Sequence, residues 1–201
     1  LSTVETTKDG LRRAVLIVAL LNLGYFGIEF AVALAIGSVS LFADSIDFLE
    51  DAAINLLILL GLAWPADRRR RLGKVLAAII LVPAIATLWM AAQKLLVPVA
   101  PAPVPLTLTG FGALLVNFAA AAILMRHRHH GGSLSLAAFL SARNDVLANV
   151  AIIVAGLITA YTLSIWPDLI VGLGIAYINA DAALKVYKAA DRERDIAAPV
   201  P

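Results

Sequence analysis

Six stretches of apolar residues, each long enough to cross a bilayer, constrain this chain more than any other feature. They cover 13–36, 40–63, 75–96, 107–125, 135–163 and 167–186. A span needs ~20 mostly apolar residues to cross ~30 Å of hydrocarbon. No water is available there to satisfy backbone groups, so segments of this length must be helical. The expected fold class is therefore an all-α membrane protein with six transmembrane helices. Composition agrees: 61% of the residues are hydrophobic, against ~45–50% in soluble domains.

The second span is the least clean, because Asp44, Asp47, Glu50 and Asp51 interrupt it. Charge distribution requires a crossing there. Lys8, Arg12 and Arg13 precede the first span, and Arg68, Arg69, Arg70, Arg71 and Lys74 separate the second from the third. Arg126 and Arg128 separate the fourth from the fifth, and Lys185, Lys188, Arg192 and Arg194 end the sixth or follow it. The connections 37–40, 97–107 and 164–167 contain no lysine or arginine. By the positive-inside rule both termini are expected to be cytoplasmic, in a multi-pass protein of the cell (inner) membrane. Lys94 departs from the pattern, near the outer end of the third span, where it is expected to snorkel.

This arrangement predicts a short cytoplasmic segment over 1–12, a transmembrane domain over 13–190 and a tail over 191–201 with no soluble domain. The apolar run after Arg13 is too long for a cleavable signal core. The prolines of 97–105 predict a stiff extended connector, and Pro83 predicts a kink in the third helix. The pI near 9.1 does not indicate nucleic acid, because the basic residues sit at helix ends. Without cysteine, thiolate metal sites and disulfides are excluded.

Acids in the middle of a span cost at least ~2.5–3.5 kcal/mol each, so each requires a reason. At ~100° per residue, Asp44, Asp47 and Asp51 share one stripe of the second helix, continued by Asn55, with Glu50 off to the side. Asp47 and Asp51 stand at i and i+4, a spacing that lets two side chains hold one cation. On the fifth helix Ser141 and Asp145 share a face, Asn144 lies beside them, and Arg143 points nearly the opposite way. Entering from opposite sides, the two helices bring these carboxylates to one depth. Such carboxylates cannot all remain ionised without positive charge, which a divalent metal or protons supply. Competition between the two is the basis for exchanging one against the other.

Other polar residues have simpler readings. Asn22, Asn117 and Asn149 are expected to bond between helices. For Asp44 a helix contact and a functional role stand even, and Glu29 lines either the same cavity or an outer mouth. Asp181 is expected to be solvated.

The run from Asn22 and Glu29 through Gly37-Ser38-Val39-Ser40-Leu41-Phe42-Ala43-Asp44-Ser45-Ile46-Asp47-Phe48-Leu49-Glu50-Asp51 resembles the first two helices of cation diffusion facilitators. In that family a Gly-x-x-Ser turn leads into Ala-Asp-Ser/Ala-x-His/Asp-x-x-x-Asp. The likeness extends to the six-helix topology, the basic inner loop and the fifth-helix motif. It implies export of divalent metals, chiefly zinc, against protons, by a homodimer in lipid. It also implies metal ligands at Asp47 and Asp51 on the second helix and at Ser141 and Asp145 on the fifth, the carboxylates carrying the protons.

The chain departs from the family at two points. Ser141 stands where histidine is usual, so the fourth ligand is Ser141 or Asn144. The usual cytoplasmic domain after the sixth helix is absent from this sequence. An all-oxygen site is harder than the usual one and weakens the preference for zinc over manganese, iron or cobalt. No organic cofactor is implied. His127, His129 and His130 lie in an inner loop that either collects metal weakly or is a solvated basic loop. Two other functions fit the same spans: a non-transporting metal-binding scaffold or regulatory subunit, and a proton-coupled carrier of a small organic solute. No catalytic pattern appears on any span, so the protein is not expected to be an enzyme.

Overall fold

The computed structural model describes residues 2–61, 75, 85–125 and 132–197. All regular structure among them is helical: α1 (Ser2–Ile36), α2 (Val39–Gly61), α3 (85–96), α4 (Pro103–Met125), α5 (Gly132–Thr162) and α6 (Trp166–Ala197). Arg12–Ile36, Pro103–Met125 and Asp145–Thr162 are long and apolar enough to span a membrane. The acids expected to interrupt the second span lie in the middle of α2 and do not break it. Pro83 lies outside the described residues.

Several element boundaries differ from those expected from the sequence. Helix α1 begins before residue 13, and α6 continues past 186. The proline-rich connector is shorter than expected, because α4 starts at Pro103 and carries Pro105 in its first turn. Proline is tolerated there, since first-turn N–H groups have no intrahelical partner. Thr107 closes that turn by donating its hydroxyl to the Pro103 carbonyl at 2.8 Å.

Polar and apolar residues are arranged for lipid. Leu20, Ile28, Leu108, Phe118, Ile170 and Tyr177 point outward and are largely exposed, while Asn22, Glu29, Asp44, Asn117 and Asn149 are buried. This is the reverse of a soluble protein, in which lone buried acids are rare. The apolar core joins Ala33 of α1, Leu41, Phe42 and Ala43 of α2, Leu106 of α4, Ile152 of α5 and Ile175 of α6. Ala86 and Met90 of α3 pack against it.

Small residues set the helix spacing, as expected where lipid supplies no hydrophobic drive between helices. A Cβ on Gly110 of α4 would lie 2.8 Å from Ile152 Cγ2 of α5, and one on Gly156 of α5 would collide with Thr107 of α4. On α6, a Cβ at Gly172 would lie 2.7 Å from both the Ser40 nitrogen and the Val39 carbonyl carbon. Backbone cannot rotate aside as a side chain can. Gly172→Ala is therefore expected to lower stability by ~1–3 kcal/mol, the usual cost of overpacking. Its thermal midpoint in detergent, compared with that of the wild type, measures this; equal midpoints would mean α6 does not seat against α2.

The α1–α2 turn is closed from both sides. Gly37 takes φ +64°, a left-handed conformation that costs glycine little. The Ser38 N–H reaches back to the Ala33 carbonyl at 3.0 Å, which ends α1 in a Schellman arrangement. Ser38 also begins α2, its hydroxyl oxygen accepting the Leu41 N–H at 3.2 Å, as an N-cap should.

Candidate functional site

The tight turn at Gly37 fixes which acids of α1 and α2 meet. Glu29 lies eight residues before Gly37 and Asp44 seven after it; Asn22 lies fifteen before and Asp51 fourteen after. Each pair is therefore level across the hairpin. Asn22 Nδ2 donates to Asp51 Oδ2 at 3.3 Å, and the Glu29 carboxyl group lies within hydrogen-bonding reach of Asp44. Tyr25 and Phe48 pack between the two pairs with ring centroids 5.1 Å apart. The Tyr25 hydroxyl donates across to the Thr109 carbonyl of α4 at 2.6 Å.

Helix α5 meets α2 antiparallel and in register. Asn149 Nδ2 donates to Asp44 Oδ2 at 2.6 Å, while Asn149 Oδ1 accepts Asn117 Nδ2 of α4 at 3.1 Å. One turn back along α5, Asp145 lies close enough to Asp47 for their charges to interact. Asp145 Oδ2 is buried without a hydrogen-bond partner among the described residues. Asn55 turns back on its own helix and donates to the Asp51 carbonyl at 2.7 Å. Asn179 of α6 adds a bond to the Ala43 carbonyl at 3.3 Å.

The interior therefore carries Glu29 from α1, Asp44, Asp47 and Asp51 from α2, Asn117 from α4, and Asp145 and Asn149 from α5. Glu29, Asp44, Asn117 and Asn149 are buried, and Asp47, Glu50, Asp51 and Asp145 are partly buried. Among the described residues, no three acidic or histidine side chains converge closely enough to hold one ion. Ser141 and Asn144 lie on the stretch of α5 whose side chains are outside the described set, and His127, His129 and His130 are outside the described residues altogether. The three asparagines expected to bond between helices do so. Asp181 is exposed.

Two residues behave differently from the sequence reading. Lys94 does not snorkel; it is 6% exposed and pairs with Asp168 of α6 at 2.8 Å. Its ammonium also donates to the Gly37 carbonyl. The sequence reading gave Asp168 no role, yet this residue caps α2 from another helix. Its carboxylate accepts the backbone N–H groups of Val39 at 2.9 Å and Ser40 at 3.1 Å, and the hydroxyls of Ser38 and Ser40, each at 2.6 Å. The positive end of the α2 dipole adds to this attraction. Val39, Ala91 and Leu169 form an apolar cluster beside the polar clamp and seal it.

A helical bundle that is apolar outside and lined within by carboxylates and amides defines a membrane protein whose interior is suited to a cation. Residues 15–191 match the cation efflux transmembrane domain, and the chain belongs to the cation efflux family, the cation diffusion facilitators. This is a family of transporters rather than enzymes, and its substrates are divalent metal cations. A comparison with curated proteins returns no match.

Proposed function

We propose that the protein exports a divalent metal ion, zinc first and then manganese, iron or cobalt, in exchange for protons. It would work by alternating access as a homodimer in the cell (inner) membrane, with both termini cytoplasmic. Asp47, Asp51 and Asp145 bind the ion and take up the protons that displace it. The observation carrying this reading is the α2–α5 register, in which Asp44 meets Asn149 and Asp47 faces the charge of Asp145. Continued one turn, that register sets position 141 level with Asp51, which supports Ser141, with Asn144 beside it, as the remaining ligand.

Oxygen ligands fit this cargo in two ways. Carboxylates bind hard and borderline cations and compete for them with protons over an accessible pH range. They are also short, so α2 and α5 must draw together around the ion, which couples binding to helix movement. Proteoliposomes holding the purified chain, loaded with a metal-sensitive dye under an imposed pH gradient, test the reading. Flux that requires the gradient is the expected result, with zinc the fastest metal. Metal binding without flux of any metal would replace the exporter with a binding scaffold.

A further inference from the structure

We propose that Glu29 and Asp44 form a proton-binding site, a carboxylic acid and a carboxylate that hold one proton between them. Both side chains are 0% exposed. Both oxygens of Glu29 and Oδ1 of Asp44 are buried without a donor among the described residues. The two carboxyl groups are nevertheless within hydrogen-bonding reach of each other. Two carboxylates cannot form such a bond, and in an apolar interior they repel strongly. A single O–H between them engages one orphan oxygen of Glu29 and Oδ1 of Asp44 and removes one charge.

The surrounding donors fix where that proton sits. Asn117 donates to Asn149, and Asn149 donates to Asp44 Oδ2, so Asp44 is the acceptor and Glu29 carries the O–H. Among the described residues no neighbour offers Glu29 another proton. The Tyr25 hydroxyl is committed to the Thr109 carbonyl, and the Lys94 ammonium to Asp168 and Gly37. The titratable groups facing the pair are Tyr25 on α1, Asp47 and Asp51 on α2, and Asp145 on α5. From α4 and α6 the nearby polar groups are the amides Asn117 and Asn179.

Two measurements on the full chain in liposomes test the proposal. Infrared spectra of metal-free protein near neutral pH should show a protonated-carboxyl C=O component that shifts in D2O and is missing from the spectrum of Glu29→Gln. Glutamine donates to Asp44 as the protonated acid does, so this variant should melt with the wild type. A band identical in both proteins would overturn the pair. The second measurement is zinc binding, in which Glu29→Gln should match the wild type; loss of zinc binding would make Glu29 a metal ligand and overturn the pair.

Discussion

Asp168→Ala is expected to be the most destabilising single substitution in the described part of the protein. The change strands the buried Lys94 ammonium and uncaps the Val39 and Ser40 N–H groups at the start of α2. Removing one partner of a buried pair costs ~3–5 kcal/mol, because the other charge remains without compensation. Lys94→Met should cost less, since Asp168 retains its four donors from Ser38, Val39 and Ser40. The double variant should recover part of the loss, because no charge is then stranded, and its cost should fall below the sum of the two singles. Thermal midpoints of the four proteins in one detergent decide this. Additive losses would mean Lys94 and Asp168 do not act as a pair.

The other large effect falls on transport. Asp51→Asn keeps a partner for Asn22, and Asp145→Asn replaces a carboxylate that has one unpartnered oxygen with a neutral group. Neither should unfold the bundle, and each removes a negative charge from the proposed ion site. A lost charge-assisted ligand is worth ~1.5–3 kcal/mol, so flux at limiting metal should drop by at least about tenfold, and proton coupling should disappear with it. The harsher Asp51→Ala and Asp145→Ala are expected to abolish flux. Wild-type flux in Asp51→Asn and Asp145→Asn together would remove both residues from the ion path.

Much of this was legible in the sequence because it follows from helical period and hairpin counting. The stripe of Asp44, Asp47 and Asp51 is a matter of ~100° per residue, and the shared depth of α2 and α5 follows from their opposite directions. Asn22, Asn117 and Asn149 were expected to bond across helices, because an unpaired amide in hydrocarbon is costly, although their particular partners were not foreseen. The clamp was not legible for a different reason. Lys94 and Asp168 are 74 residues apart in sequence, and each looks like an ordinary residue near a helix end. Nothing local in the chain says that α6 delivers its first-turn acid to the start of α2. A lysine on a loop side otherwise free of positive charge was nevertheless a signal, since a buried cation needs a partner. Glu29 has two readings in the sequence, and counting from Gly37 matches it with Asp44.

The clamp also determines what the turn end shows to its surroundings. Lys94 and Asp168 neutralise each other in the interior, Glu29 and Asp44 are wholly enclosed, and the connections at 37–38, 97–102 and 163–165 carry no acid or base. In the proposed orientation, a metal ion leaving there meets a rim with no exposed carboxylate to recapture it and no ammonium to repel it. Surface charge normally concentrates or disperses ions within a Debye length, about 8 Å at physiological salt. Here that influence is missing, and the departing ion is diluted into the surrounding water at the rate diffusion alone allows.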